Sequence, residues 1–173
     1  NDLWLTGGLK ITPLKDWTIN VDYTYNMYIL SKKQHGKEIL EHTANPDIVT
    51  VFPHTTPSRV KFTTDDNYYQ TFNAYTDYTK SLGKHNIKLL LGYNYETKSY
   101  RWFNAERENL ISNDLPGLGQ AYGEKYNGSG QHSWATMGYF ARINYNYAER
   151  YLLELNGRYD GSSKFPKDKR FVF

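Results

Sequence analysis

The feature that most constrains this chain is a two-residue alternation of apolar and polar side chains that recurs six times. In residues 17–27, the odd positions are apolar or aromatic and the even positions are polar. Successive side chains of a β-strand point to opposite faces of a sheet, so this pattern predicts a strand with one apolar and one polar face. Six such strands are predicted, over residues 3–12, 17–27, 71–78, 87–96, 135–145 and 151–160.

Charged residues within the predicted strands all fall on the same face. An Arg or Lys facing lipid at the bilayer midplane costs roughly 2–4 kcal/mol, whereas a water-soluble sheet tolerates such exceptions near its strand ends. The segregation therefore predicts that the charge-free face contacts lipid. The charged residues of the opposite face are Lys10, Asp22, Asp77, Lys88, Glu96, Arg142, Glu154, Arg158 and Asp160.

The connections between these strands alternate between short and long. Residues 13–16, 80–86 and 147–150 form short turns, and residues 30–67 and 101–132 are predicted to form two long loops. Outer-membrane barrels distribute periplasmic turns and surface loops in this way. All six Pro residues lie outside the predicted strands, as a hydrogen-bonded sheet requires.

Aromatic residues flank the predicted apolar face. The eight residues from Trp17 to Tyr25 span about 26 Å along a strand, or about 20 Å along the membrane normal at a tilt of about 40°. That height approaches the apolar band of about 25 Å between two aromatic girdles. The other aromatic residues at the ends of the apolar face are Tyr78, Tyr145 and Tyr151 near the short turns, and Phe72, Tyr93, Tyr95 and Tyr159 toward the long loops.

Composition excludes several other classes. The mean hydropathy is −0.77 and no run of 18 apolar residues exists, so helical membrane insertion is excluded. The net charge of +3 is spread along the chain and gives no reason to expect nucleic-acid binding. We expect residues 1–173 to be a partial transmembrane β-barrel domain, because six strands are too few to close a barrel and neither end resembles a domain boundary.

Three segments resemble the barrel of SusC/RagA-type TonB-dependent transporters: residues 83–96 (GKHNIKLLLGYNYE), residues 138–153 (GYFARINYNYAERYLL) and residues 157–165 (GRYDGSSKF). The resemblance implies an all-β, antiparallel up-and-down barrel of 22 strands with an N-terminal plug, in the outer membrane of a member of the Bacteroidota. It also implies coupling to TonB, a SusD-like surface lipoprotein as a lid, and import of oligosaccharides or peptides. Two other classes are a passive porin or structural barrel, and a soluble β-rich carbohydrate-binding module.

The sequence offers no catalytic, metal or cofactor site. His35, His42 and His54 lack the spacing of a metal motif, and we interpret them as solvated loop histidines. Gly117, Gly119, Gly128 and Gly130 are interpreted as loop glycines, and residues 65–67 (Asp-Asp-Asn) as the close of a loop rather than a Ca²⁺ site. No arrangement of nucleophile and base indicates an enzyme.

Two further groups of residues are candidates for contact with cargo. Arg158 and Asp160 lie two residues apart on the polar face, where a charge network of the barrel wall is favoured over a contact to plug or cargo. Aromatic residues at the long loops suit sugar stacking, loop packing or lid contact, and the substrate-binding residues remain open. These aromatics are Trp102, Phe103, Tyr122, Tyr126 and Trp134.

Overall fold

The computed structural model describes residues 1–45 and 47–172, and almost all regular structure in this part is β-strand. Short 3-10 segments lie at Pro53–Thr55, Leu118–Gln120 and Lys167–Lys169. Within the described residues, no helix is long and apolar enough to cross a membrane. The strands are β1 (Asp2–Leu14), β2 (Trp17–Gly36), β3 (Leu40–His42), β4 (Val49–Val51), β5 (Arg59–Leu82), β6 (His85–Glu108), β7 (Lys125–Tyr147), β8 (Tyr151–Ser162) and β9 (Phe171–Val172).

Seven strands form one sheet in the order β1-β2-β5-β6-β7-β8-β9, and β3 pairs with β4 in a separate hairpin. Each strand of the large sheet thus lies beside the next strand of that sheet along the chain, as in an up-and-down barrel wall. The predicted all-β class and all six predicted strands are confirmed. A further short strand, β9, follows the six predicted ones, and Phe173 lies outside the described residues.

Strand lengths differ from the prediction. β5 and β6 each contain 24 residues, about 79 Å at 3.3 Å per residue, whereas about 9–11 residues suffice to cross the membrane. Residues 30–36, 59–67, 101–108 and 125–132 therefore belong to strands, and assigning them to long loops was wrong. They carry polar residues on both faces, so the alternation that marks the other strand segments is absent from them.

The prediction that every Pro residue lies outside the strands was also wrong at one position, because Pro13 is the penultimate residue of β1. Within the described sheet, β1 is an end strand that pairs only with β2, and proline is tolerated where no neighbour needs its missing N–H. Pro46 lies outside the described residues.

The short turns are tighter than predicted. Lys15 and Asp16 alone separate β1 from β2, and two residues separate β5 from β6. Gly83 begins the second turn with φ +60°, a left-handed conformation that glycine adopts without strain. The turn between β7 and β8 has three residues, of which Ala148 and Glu149 also have positive φ.

The described residues group into two compact units. The loop unit comprises Asn1, Tyr28–Asp66 and Tyr100–Gln131, and the band unit comprises Asp2–Met27, Asn67–Ser99 and residues from 132 onward. Within the described residues, Val60 and Ala121 are the buried hydrophobic side chains, and both belong to the loop unit. In the band unit, many apolar side chains are left exposed by this chain, among them Leu9, Leu91 and Leu155.

The register between β7 and β8 supports the predicted faces. Ile143 lies opposite Leu155 on the apolar face, while Arg142 lies opposite Asn156 on the polar face. Leu155 is 56% exposed, so what covers it comes from outside the described chain. Lipid provides such a cover for a face that carries no charge.

We expect Leu155→Arg to block barrel assembly in the full-length protein, because it places a charge on the lipid face at a cost of roughly 2–4 kcal/mol. The matched control is Lys88→Glu, which exchanges one charge for another on the polar face. The measurement is the yield of heat-modifiable barrel in outer membranes. Equal yields from the two variants would disprove the assignment of the faces.

Candidate functional site

The polar face of the band unit combines charged side chains with glycines that make room for them. Arg158 Nε donates to both carboxylate oxygens of Asp160, at 2.8 and 2.7 Å, and the Arg158 guanidinium carbon lies 5.9 Å from the centre of the Phe140 ring. A side chain at Gly138 would collide with the Asp160 carboxylate, and one at Gly92 would collide with the Phe140 ring. The glycines thus allow larger neighbours to lie flat on the sheet.

The Arg158–Asp160 pair is about half exposed on both sides, so its net contribution to stability is small. Each partner already satisfies the other, which agrees with the interpretation of a wall network. A role in contact with plug or cargo stays a prediction.

The opposite face of the band unit carries aromatic contacts across several strands. Trp17 Nε1 donates to Thr76 Oγ1 at 2.6 Å near the short turns. Toward the other end of the band, the Tyr93 ring centre lies 6.3 Å from that of Phe72 and 5.0 Å from that of Tyr139. Trp and Tyr suit the edge of a membrane because their rings are apolar while their N–H or O–H groups hydrogen-bond.

The loop unit differs from the band unit because it carries charge on both faces. Arg101 Nη2 pairs with Asp66 Oδ2 at 2.7 Å, while the preceding residues Tyr100 and Asp65 share a hydrogen bond of 3.2 Å on the other face. Lys33 Nζ lies 5.4 Å from the centre of the Phe62 ring. A strand face that carries Lys33, Asp66 and Arg101 is not one that lipid covers.

The interpretation of residues 65–67 as the close of a loop was wrong, because these residues lie within β5. Neighbouring side chains of a strand point to opposite faces, so Asp65 and Asp66 do not converge on one cation. The three histidines lie in different elements: His35 in β2, His42 in β3 and His54 in a 3-10 segment. Within residues 1–45 and 47–172, no group of three or more His, Cys, Asp or Glu residues is placed to hold a metal ion.

Gly128 and Gly130 lie in β7, so their assignment to a loop was wrong. Both support the Trp102 indole: a Cβ at Gly130 would lie 2.6 Å from Trp102 Nε1, and a Cβ at Gly128 would lie 3.3 Å from its six-membered ring. The indole therefore lies against the β7 backbone. Sequence reasoning missed this contact because Trp102 and the glycines are more than 25 residues apart.

The other candidate aromatics occupy separate places. Phe103 is exposed on the face of β6 opposite Trp102, and Tyr122 is exposed in the connection between β6 and β7. In the band unit, Lys164 Nζ lies 5.0 Å from the centre of the Trp134 ring. The structure therefore does not bring all five aromatics into one site.

Three glutamates surround Tyr126 in the loop unit. The carboxylate of Glu108 raises the pKa of Tyr126 above its ordinary value, and burial, Glu124 and Glu106 add to this effect. The Tyr126 hydroxyl donates a hydrogen bond to Glu108. Tyr126 therefore remains a neutral hydrogen-bond donor at physiological pH.

A polar cavity of about 360 Å³ lies elsewhere in the loop unit, lined by Gln34, His35, Gly36, Arg59, Lys61 and Glu106. Burial lowers the pKa of His35 below its ordinary value of 6.5, and the positive charges of Lys37 and Lys33 lower it further, against the opposing effect of Asp114. His35 is therefore neutral at pH 7 and gains a proton only under acidic conditions.

No known family profile matches the chain. The chain is 31% identical over 101 residues to "TonB-dependent receptor P3" of Formosa agariphila, covering 57% of this chain and 10% of that protein. It is 26% identical over 170 residues to "TonB-dependent receptor SusC" of Bacteroides thetaiotaomicron, covering 90% of this chain and 16% of that protein.

Solved structures show the same fold. The "RagAB peptide transporter" superposes with a TM-score of 0.82 at 19% identity, over 98% of this chain and 18% of the other. The "RagAB peptide importer in the 'closed-closed' state" gives a TM-score of 0.75 at 21% identity, over 99% and 18% of the two chains. The agreement covers nearly every strand described above.

This chain is similar in sequence to TonB-dependent receptors and shares the fold of the matching part of the RagAB transporter. It spans 10% to 18% of the length of the relatives it matches. Its location is the bacterial outer membrane, as predicted from the charge-free strand face. Its curated relatives are named receptors, which agrees with the absence of any catalytic arrangement in the sequence.

We expect Gly130→Ala to displace the Trp102 indole, because the new methyl group would lie 2.6 Å from Nε1. The expected result is a shift in the part of the tryptophan fluorescence that Trp102→Phe removes. Gly119→Ala is the matched control in the same unit, since a Cβ there meets nothing within 4 Å. Spectra that change equally in both variants would contradict the contact.

We expect the pKa of His35 in the full-length protein to lie below 6.5. Because the folded state then binds fewer protons than the unfolded state, this group weakens the fold as the pH falls through and below about 6.5. Replacing both Lys33 and Lys37 by Gln should raise the His35 pKa, because two positive charges are removed. Histidine NMR titration measures the shift, and an unchanged pKa would refute the electrostatic contribution.

Proposed function

We propose that this segment forms part of the barrel wall of a TonB-dependent transporter that imports oligosaccharides or peptides. The observation that carries the proposal is the pairing of a charge-free outer face with a charged inner face across one continuous strand series. A wall of this kind separates lipid from a polar lumen. The similarity to TonB-dependent receptors supports active import rather than passive diffusion.

The proposed whole protein has a barrel of 22 strands, part of which this segment forms, together with an N-terminal plug and a contact with TonB. Gly8, Gly92 and Gly138 on the inner face of the band unit are compatible with a plug. Because they have no side chains, neighbouring side chains can lie against the sheet and do not project far into the lumen. The described sheet order runs from β1 to β9 without a pairing between these two strands. Further strands are needed to satisfy both edges in a membrane.

A SusD-like surface lipoprotein is the proposed lid. The connection between β6 and β7 offers a surface for it, because Ile111, Leu115 and Tyr122 are 72%, 63% and 72% exposed. Apolar side chains exposed in this way are available for contact with a partner protein. Recovery of a lipoprotein with the tagged full-length protein from solubilised outer membranes would test this assignment.

A passive porin remains the second candidate, and an energy requirement separates the two. We expect cells that carry the full-length gene to accumulate either fluorescent maltoheptaose or a fluorescent decapeptide. Deletion of TonB should abolish that accumulation, because plugged barrels open only when energy is supplied. Uptake at the same rate with and without TonB would favour the porin, and a soluble parent protein would disprove both membrane candidates.

A further inference from the structure

One edge of β7 has no neighbouring strand over the first part of its length. β7 pairs with β8 only from Thr136 onward. Just before that point, the backbone N–H of Ser163 donates to the Ala135 carbonyl at 2.8 Å, and the chain then returns to pair with β8 as β9. Within residues 1–45 and 47–172, the segment 125–131 therefore has β6 on one edge and no strand on the other.

The backbone groups that point to this free edge belong to odd-numbered residues. The Glu124 carbonyl accepts a hydrogen bond from the Glu108 N–H of β6 at 3.2 Å, so the even-numbered residues direct their backbone groups toward β6. Successive residues of a strand direct these groups to opposite edges. The N–H and C=O groups that point away from β6 are those of four exposed residues, Lys125, Asn127, Ser129 and Gln131.

This edge has the properties of a template for another strand. Sheets protect exposed edges with proline, charged side chains or very short edge strands, whereas residues 126–131 (YNGSGQ) contain neither proline nor charge. Free N–H and C=O groups at the spacing of a strand are matched by the backbone of an extended polypeptide. The hydroxyl groups of a sugar do not repeat in that order, so the edge favours a polypeptide ligand over an oligosaccharide.

We propose that the imported cargo is an extended peptide that adds to the free edge of β7 as a further strand. The segment 125–131 is about 23 Å long at 3.3 Å per residue, and its four odd-numbered residues offer four donors and four acceptors. Strand addition obtains its affinity from main-chain hydrogen bonds, so it accepts peptides of many sequences. This inference rests on the proposed transport function and narrows its cargo to peptides.

The side chains along the edge favour a transient ligand over a permanent partner protein. Asn127, Ser129 and Gln131 share one face of β7, and all three are polar and exposed. The buried core of a stable protein interface is more apolar than the rest of the protein surface, and these side chains offer no such core. A short peptide held through its backbone requires none.

The Trp102 indole gives the bound peptide a contact with one of its side chains. The indole lies against Gly128 and Gly130 of β7, on the face opposite Asn127 and Ser129. A strand added to β7 would lie about 4.8 Å from it and would direct every second side chain to the face that carries the indole. Because the two glycines have no side chains, an apolar peptide side chain beside them can reach the aromatic ring.

The test uses calorimetric binding to the full-length protein in detergent. One probe is an octapeptide of alternating Thr and Val, acetylated and amidated at its ends. The other is the same peptide with N-methyl groups on its two central residues, which removes one N–H from each edge of the peptide. We expect the methylated peptide to bind at least about tenfold more weakly, because each lost hydrogen bond reduces the affinity and the methyl groups obstruct pairing.

The protein is altered at the two central residues of the free edge. In the double variant Ser129→Pro, Gln131→Pro, two edge donors are lost while the pairing with β6 is kept, since these N–H groups point away from β6. We expect this variant to bind both peptides equally weakly, whereas the control Ser129→Ala, Gln131→Ala keeps the tenfold difference. Heat-modifiable mobility verifies that both variants form barrels. Equal binding of the two peptides by the unmodified protein, or a difference that survives the double proline variant, would overturn strand addition.

Amide hydrogen exchange distinguishes cargo from a partner protein at the same edge. In the full-length protein without peptide, we expect rapid exchange at the odd-numbered amides of residues 125–131, and slower exchange once the octapeptide is added. Slow exchange before any peptide is added, in a preparation that contains a surface lipoprotein, would assign the edge to that lipoprotein and overturn its assignment to cargo.

These outcomes are separate from a failure of the proposed function. Binding in detergent requires neither TonB nor an energised membrane, whereas the uptake experiment requires both. Strand addition without TonB-dependent uptake would support the peptide edge and refute active transport. TonB-dependent uptake together with equal binding of the two octapeptides would support transport and refute the peptide edge.

Discussion

The fold depends on one constraint: a strand face that meets hydrocarbon carries no charge, and the sheet behind it leaves no backbone group unpaired. The band unit meets the first requirement over the six predicted strand segments, whereas Lys80, at the end of β5 next to the short turn, has the parity of the apolar face and pairs with Asp16 at 3.5 Å. Leu155 and Ile143 show the result, since they pair across two strands while remaining exposed to whatever surrounds the protein. In water, the exposure of such an apolar surface would be unfavourable, whereas in a bilayer its contact with lipid stabilises the folded protein.

The same strands continue into a region where that constraint no longer applies. In the loop unit, Arg101 and Asp66 pair on the face that is charge-free within the band. The other face there carries Trp102 and the ion pair between Lys61 and Glu106, whose charged atoms lie 3.2 Å apart. One strand series thus serves two purposes, because its residues experience lipid along one part and water along the other.

The sequence predicted the band unit well because its signals are local. Parity alone assigns Arg142 and Ile143 to opposite faces, and the turn at residues 147–150 sets their partners on β8. The outer strand segments were missed because residues 63–66, Thr-Thr-Asp-Asp, are polar at every position and read as loop. They are held by cross-strand contacts such as Tyr100 with Asp65, which join residues 35 positions apart.

The candidate site was beyond sequence reasoning for the same reason. Arg59 is close in sequence to Lys61, but Glu106, which pairs with Lys61, comes from another strand. Similarly, the role of Gly130 depends on an indole that lies 28 residues earlier in the chain. Contacts between residues that are so far apart in the sequence can be identified only from the arrangement of the strands in the sheet.

The unusual length of β5 and β6 has an evolutionary consequence. Because about 9–11 residues suffice to cross the bilayer, more than half of each 24-residue strand is free of the rule that lipid imposes. A polar or charged substitution there therefore leaves the cost of membrane insertion unchanged, whereas the same substitution on the apolar face of the band unit raises it. The loop unit thus tolerates a wider range of side chains than the band unit does.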